Sequence, residues 1–461
     1  MPVAQVVADL STMADKIRAL AKADATPVIP ACAHCCPGFF AVERLHGRQS
    51  QGFGSKSKSP NKILRSAVPF KASAFLWLLE PLDRRIVHRI VEKHRGNRGV
   101  GDGDNAWTCQ RHLKAMLFAQ FAGLRSLREL AEGLAAQPSG LYHAGLRPVG
   151  KSTLGDASAA RPSAVFRELA EVVLGGSARS ARQDATALVQ LIDGSPISLK
   201  DRRFAWAEAD SRCRGLKLHM VYDPRAMAPV HFAVESPKVS EIKVARRIPL
   251  AAGITYVFDK GYTDYAWWQA IVDAGALFVT RLKANACRRV TADNPAIGAG
   301  ILADRRVKIG HKQPRGGASN PLYETDLREV IVVREDKEPL HLVTNDHQRT
   351  AEEIAGLYKQ RWQIELFFKW VKQNLKIKTF FGRSENAVRI QIYAALIAFC
   401  LLRIFQNAFA KGLKANAKAL AARLRVALLD PFDTTGRHPP RPRPPHMRPP
   451  SPQFALDLGA P

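Results

Sequence analysis

Between residues 184 and 346 short apolar runs alternate with stretches of helical period, and this alternation restricts the possible folds more than any other feature. "ATALVQLID" (185–193) is a short apolar run ending in an acid. "CRGLKLHMVYD" (213–223) and "APVHFAVES" (228–236) alternate as strands do, with a turn at "DPRAM" between them. "ITYVFDKGY" (254–262) follows a helix-like "SEIKVARRI", and "ALFVTRLKA" (276–284) follows a second helical stretch. After a polar, turn-rich interval come "REVIVVRED" (328–336) and "PLHLVTND" (339–346). Strands interleaved with helices imply an α/β layer on a mixed sheet. From Thr350 to about Leu429 the period is helical again.

Ahead of this layer, residues 63 to about 175 read as helical. "CQRHLKAMLFAQF" (109–121) has apolar residues at helical spacing, and "SLRELAEGLAAQ" (126–137) opens with Ser126 and Glu129, a capping-box signature. "GKSTLGDASAARPSAVFRELAEVVL" (150–174) predicts two short helices around Pro162. Compact helices joined by basic turns suit a DNA-binding unit of helix-turn-helix type, with Lys151, Ser152 and Thr153 starting one helix. An ordinary helical domain without DNA contact fits the same pattern. Residues 1–62 read as an irregular extension ending in a Gly/Ser/Lys linker, and 430–461 as a disordered Pro/Arg-rich tail.

Charge narrows the partner. Lys and Arg number 69 against 41 Asp and Glu, so the net charge is 69 − 41 = +28, which favours a polyanion: nucleic acid or an anionic membrane surface. The longest apolar run, "IYAALIAFCLLRIF" (392–405), is too short to span a bilayer and carries Arg403, so no membrane is expected. Seven scattered cysteines suggest a reducing cytosol, and "CAHCC" (32–36) has no second cluster at zinc-site spacing.

Two acids close apolar strands, Asp193 in "VQLIDGS" and Asp259 in "YVFDKGY". A carboxylate there must be solvated, paired or bound to metal. A third lies in "LYKQRWQIELFFKWVKQNLKIKTF" (357–380), where Glu365 is surrounded by Arg361, Lys369, Lys372, Lys376 and Lys378. On one helix over 352–375, Tyr358, Arg361, Glu365 and Lys372 would share an arc of about 60°. Ile364, Phe368, Val371 and Leu375 would form an apolar seam beside it. A solvated amphipathic helix with an Arg361–Glu365 pair satisfies the same spacing.

The stripe "Y-x2-R-x3-E-x6-K" resembles the third-acid signature of DDE transposases of bacterial insertion sequences, in the insertion sequence four family. "IDGSPISL", "VFDKGYTDY", "FVTRLKAN" and "LVTND" resemble its other motifs in order. Upstream, "LFAQFAGLRSLREL" and "LYHAGLRPVGKSTLGDA" extend the resemblance over roughly 63–410. It implies a ribonuclease-H-like catalytic domain over 184–429 with a β-rich insertion at about 284–346, preceded by a helical DNA-binding domain over 63–175. Carried over, Asp193, Asp259 and Glu365 are the catalytic, metal-binding acids. Tyr358, Arg361 and Lys372 would position the phosphate of the element end. The implied cofactor is a pair of Mg²⁺ ions, with Mn²⁺ as substitute. The implied partners are terminal inverted repeats and target DNA, met by a homodimer at the bacterial nucleoid in the cytoplasm. The implied reaction frees a 3′-hydroxyl and joins it to target DNA. Relatives that cleave through a DNA hairpin stack a Trp of the insertion on a flipped base. Here no Trp lies between Trp268 and Trp362, which leaves Tyr323 as the aromatic at hand. The atypical termini also raise an alternative, a decayed transposase that binds DNA without cutting.

Overall fold

The computed structural model describes residues 73–430, apart from 102, 182–187, 200–201, 211–212, 315–317, 336, 375–378 and 410–416. The N-terminal extension with its "CAHCC" cysteines and the Pro/Arg-rich tail lie outside the described residues.

Among the described residues seven helices come first: α1 (Ala74–Leu79), α2 (Arg84–Lys93), α3 (Cys109–Ala122), α4 (Leu127–Ala136), α5 (Pro138–Tyr142), α6 (Lys151–Ala160) and α7 (Ser163–Ala181). Their starts follow side-chain chemistry. Ser73, Asp83, Thr108 and Ser126 each accept a hydrogen bond from a backbone N–H of the first turn, which would otherwise be unsatisfied. The expected capping box at Ser126 is half formed. Ser126 Oγ accepts from Glu129 N at 3.1 Å, but the Glu129 carboxylate accepts from Arg125 N instead of the cap itself.

The α/β part follows in the order β1 (Leu188–Ser198), β2 (Gly215–Asp223), β3 (Ala228–Glu235), α8 (Glu241–Ala245), β4 (Ile254–Phe258), α9 (Tyr265–Asp273) and β5 (Leu277–Arg281). Then come β6 (Arg288–Asn294), β7 (Ile301–Ile309), β8 (Leu327–Arg334) and β9 (Lys337–Thr344). Helices α10 (Ala351–Gln360), α11 (Trp362–Asn374), α12 (Glu385–Phe409) and α13 (Ala417–Ala427) complete it.

The nine strands of the described residues join one sheet in the order β3-β2-β1-β4-β5-β9-β8-β7-β6. β1, β4 and β5 run parallel and β2 and β3 antiparallel, which is the ribonuclease-H-like arrangement. The β-rich insertion is an antiparallel meander whose last strand, β9, pairs with β5 and lengthens the sheet. Strands β6 and β7 lie in the interval whose local pattern reads as polar and turn-rich, in keeping with the β-rich insertion that the resemblance implies. β6 is exposed at nearly every position and β7 mixes Arg, Lys and Asp with its apolar residues, so the usual alternation is masked by charge. Gly215, at φ +147°, allows β2 to start close to β1, where a Cβ would collide with the Ile197 carbonyl.

One face of the sheet is filled by aromatics. Trp267 and Trp268 of α9 pack on Phe258 and Phe278, and Trp268 Nε1 donates to the Tyr262 carbonyl at 3.0 Å. On the other face Phe367 of α11 meets Tyr222 and Phe399, at centroid distances of 5.2 and 4.9 Å. The run 392–405 belongs to α12, where Glu385–Asn407 is long and apolar enough to cross a membrane. It is 89% buried within the protein and forms the core against which α7 and α3 pack.

Two core histidines predict an acid-sensitive fold. Burial, with Arg161 nearby, pushes His112 down to about 3; burial, with Lys217 and Arg247, pushes His219 down to about 4. The unfolded chain binds these protons near pH 6.5, so the stability they protect is complete above that pH and is lost as pH falls through the window down to their folded values. Each histidine is expected to remove about 2 kcal/mol by pH 5. Urea melts at neutral pH and pH 5 measure this, and replacing His112 by Gln should shrink the difference.

Candidate active site

The sheet register brings the first two acids together. Ile192 on β1 is paired with Phe258 on β4, so Asp193 and Asp259, the next residue on each parallel strand, emerge side by side. Asp193 lies within β1, its Oδ1 accepting from Gly194 N at 2.8 Å. Asp259 sits where β4 gives way to a short 3₁₀ turn.

Glu365 comes from across the sheet. The expected single helix over 352–375 is two helices, α10 and α11, meeting at Arg361. Around this residue the hydrogen bonds tighten to three-residue spacing, Arg361 N to Tyr358 O at 3.1 Å and Ile364 N to Arg361 O at 3.2 Å. Arg361 itself keeps helical angles, φ −51° and ψ −31°, so the polar stripe survives the junction. Ile364, Phe368 and Val371 are buried, as the seam requires; Leu375 lies outside the described residues. The start of α10 is fixed by a full capping box between Thr350 and Glu353.

The stripe meets the two strand acids directly. The Arg361 guanidinium lies 2.6 Å from Glu365 Oε1 and 3.5 Å from Asp193 Oδ2, bridging two carboxylates. Tyr358 Oη donates to Asp259 Oδ1 at 3.1 Å, and Lys372 Nζ donates to Ser195 Oγ at 2.6 Å. Burial pushes Asp193 up to about 6, and the charges of Glu365 and Asp259 add to it, while Gly194 N and Arg361 oppose the rise. Burial and the Asp259 carboxylate likewise push the Tyr358 phenol up to about 12, so it stays a donor. Asp193, Ser195, Glu365 and Lys372 line a cleft of about 400 Å³.

Two neighbours were not singled out from sequence. Arg281 ends β5, one residue past the Phe258–Thr280 pair, and sits 3.4 Å from Asp259. Its signal was register: the strand beside β4 must end next to that acid. Trp362, 58% exposed, directly follows Arg361 at the start of α11. A tryptophan on the outward arc of an amphipathic helix was the visible clue. Lys151 and Ser152 lie far along the chain, exposed at the start of α6, whose Gly150 cap offers no side-chain bond. Tyr323 is half-buried, with Arg289 and Lys308 over its ring at 5.9 and 5.6 Å.

The donor chemistry fits a hard divalent ion: three carboxylates, oxygen only, each with a fifth to a third of its side chain exposed. As they stand, Asp193 and Glu365 share a guanidinium, and Asp259 is held by Arg281 and Tyr358. Among the described residues no three His, Cys, Asp or Glu side chains are drawn into a shell tight enough for a metal. The set therefore fits in chemistry, with arginines supplying the positive charge.

Residues 184–401 match the family model of the transposase DDE domain, and residues 71–147 match a domain of unknown function, DUF4372. The chain is 42% identical over 260 residues to a putative transposase, y4zB, of Sinorhizobium fredii, covering 55% of this chain and 71% of that one. It is 27% identical over 315 residues to a probable transposase for insertion sequence element IS5377 of Geobacillus stearothermophilus, covering 66% and 78%. Among solved structures, a piggyBac transposase synaptic complex with hairpin DNA aligns at TM-score 0.43 and 11% identity over 80% of this chain and 83% of that one. Identity at the level of the Sinorhizobium protein, together with the DDE-domain match over the strands and helix that carry the three acids, establishes that this chain belongs to the DDE transposases of insertion sequences.

Proposed function

We propose that Asp193, Asp259 and Glu365 form the cleavage site of this DNA transposase and hold two divalent ions, Mg²⁺ or its substitute Mn²⁺. The supporting observation is the Arg361 guanidinium shared by Asp193 and Glu365, which shows carboxylates from a strand and a later helix converging on one positive charge. When bound, a metal pair supplies the charge that activates the attacking oxygen and stabilises the leaving one. Mg²⁺ favours such oxygen donors and keeps several waters.

The residues of the chain do the rest. Arg361 and Lys372 flank the cleft and hold the scissile phosphate between them; a guanidinium suits a planar two-point grip and an ammonium a point contact. Tyr358 holds Asp259 in orientation through its phenol. Trp362, the residue after Arg361, presents an exposed ring on which an unstacked base at the element end can rest. No side chain is a covalent nucleophile. Water and then the freed 3′-hydroxyl attack in line. The substrates are terminal inverted repeats and target DNA at the bacterial nucleoid, and two copies of the chain hold the two ends.

A duplex carrying the element's terminal repeat tests this reading. Nicking at the repeat boundary should require Mg²⁺ or Mn²⁺ and stop on chelation, while binding to the same duplex continues. Nicking that persists in excess chelator contradicts it.

A further inference from the structure

The pairing of β1 with β4 ends at Ile192 and Phe258, so Asp193 and Asp259 stand one residue beyond the ladder. No strand hydrogen bond fixes the distance between them there, and two like charges push them apart. A metal-sharing pair of acids needs that distance held closely, because Mg²⁺ tolerates little departure from its geometry.

An ion pair behind the sheet spans this gap. Successive strand residues point to opposite faces, so Gly194 lies on the side away from Asp193 and Ser195. On that side Lys217 of β2 meets Glu241 of α8, Nζ to Oε1 at 2.6 Å, with both side chains mostly buried. Two glycines make room for the pair. A Cβ on Gly194 would lie 3.2 Å from Lys217 Cε, so the lysine stem passes over the residue after Asp193. A Cβ on Gly261 would lie 2.6 Å from Glu241 Oε2, so the second carboxylate oxygen bears on the 3₁₀ turn that follows Asp259. Glu241 is close enough to both strand acids that its charge joins theirs, after burial, in holding the Tyr262 phenol well above its usual range. A second link ties α8 to the same segment: Arg246 Nη2 lies 2.7 Å from Asp264 Oδ2, and Asp264 caps α9 by accepting from Trp267 N.

We propose that the Lys217–Glu241 pair is a strut that sets the separation of Asp193 and Asp259. Lys217 and Glu241 are positioning residues: they bear on the main chain just after each acid, whereas Tyr358 and Arg281 hold the Asp259 carboxylate itself. A partly buried pair of this kind gains little net stability, since desolvation offsets attraction, and its contribution is geometry. The proposal rests on the strand acids holding metal.

Glu241→Ala, Gly261→Ala and the double variant provide the test, first metal-free by amide hydrogen exchange, then by manganese titration of the DNA complex followed by electron paramagnetic resonance. Gly261 has no left-handed backbone angle, so alanine there displaces the end of a flexible side chain and breaks the strut without removing either charge. The Tyr262 and Thr263 amides, which donate to the Asp259 and Lys260 carbonyls, should exchange at least about 10-fold faster in each single variant. The manganese concentration for half-saturation should rise by about 10-fold. The double variant should be no worse than either single one, because both remove the same contact. Unchanged exchange at these two amides overturns the proposal. So do variants that melt early yet bind manganese as the native chain does, the behaviour of a merely structural pair, and so does a double variant whose effects add. A native chain that binds no manganese would remove the three-carboxylate assignment, and the metal-free exchange would still decide whether the strut holds the turn.

Discussion

Asp193→Asn, Asp259→Asn and Glu365→Gln should each lower metal-dependent strand cleavage by at least about 10³-fold, on the order of 4 kcal/mol of transition-state stabilisation. An amide keeps the shape and part of the hydrogen bonding but loses the charge that holds a divalent ion. The fold should respond in the opposite direction at Asp193. Its folded carboxyl lies near pH 6, above its ordinary 3.8, because burial and two neighbouring carboxylates oppose its charge. A raised acid subtracts stability at neutral pH, and the penalty is relieved as pH falls through 6 towards 3.8. Asp193→Asn should therefore raise stability by about 1–3 kcal/mol at neutral pH in chelator. Cleavage kinetics and thermal melts of the same preparations check both signs. A variant that melts early and cleaves normally would refute both halves.

Asp304→Ala should destabilise the protein by about 3–5 kcal/mol, although Asp304 lies in the insertion and away from the cleft. Arg328 on β8 makes a two-point pair with it, Nε to Oδ1 at 2.8 Å and Nη2 to Oδ2 at 2.6 Å, and both side chains are at least 92% buried. The remaining Arg328 nitrogen donates to the Asp346 and Arg349 carbonyls, one residue before the Thr350 cap of α10. Removing Asp304 strands a buried guanidinium and loosens the segment that launches α10, and α10 carries Tyr358. Chemical denaturation gives the stability loss, and cleavage should fall as well because Tyr358 no longer holds Asp259 firmly. Replacing Asp304 and Arg328 together by Leu and Met should recover much of the stability, since an apolar pair leaves no buried charge.

Much of this site was readable from sequence, for a physical reason. Strands buried on both faces read as apolar runs, so a single acid at the end of "VQLID" or "YVFD" stands out, and helical spacing orders Tyr358, Arg361, Glu365 and Lys372 without tertiary information. The unreadable parts depend on neighbours distant in sequence. Arg281 looks like any strand-ending arginine until β5 is aligned beside β4. The Asp304–Arg328 pair joins residues 24 apart whose burial no local pattern announces. β6 and β7 were hidden because an exposed edge carries charge where a buried strand carries methyl groups. The junction at Arg361 was invisible too, since neither Gly nor Pro marks it.

The central claim is that carboxylates from β1, β4 and α11 share metal. Titrating Mn²⁺ into the protein–DNA complex and following it by electron paramagnetic resonance tests this without relying on catalysis. Two bound ions per site in the native chain, coupled to each other and lost in the Asp193→Asn and Glu365→Gln variants, is the predicted result. Manganese binding that is unchanged in those variants would contradict it.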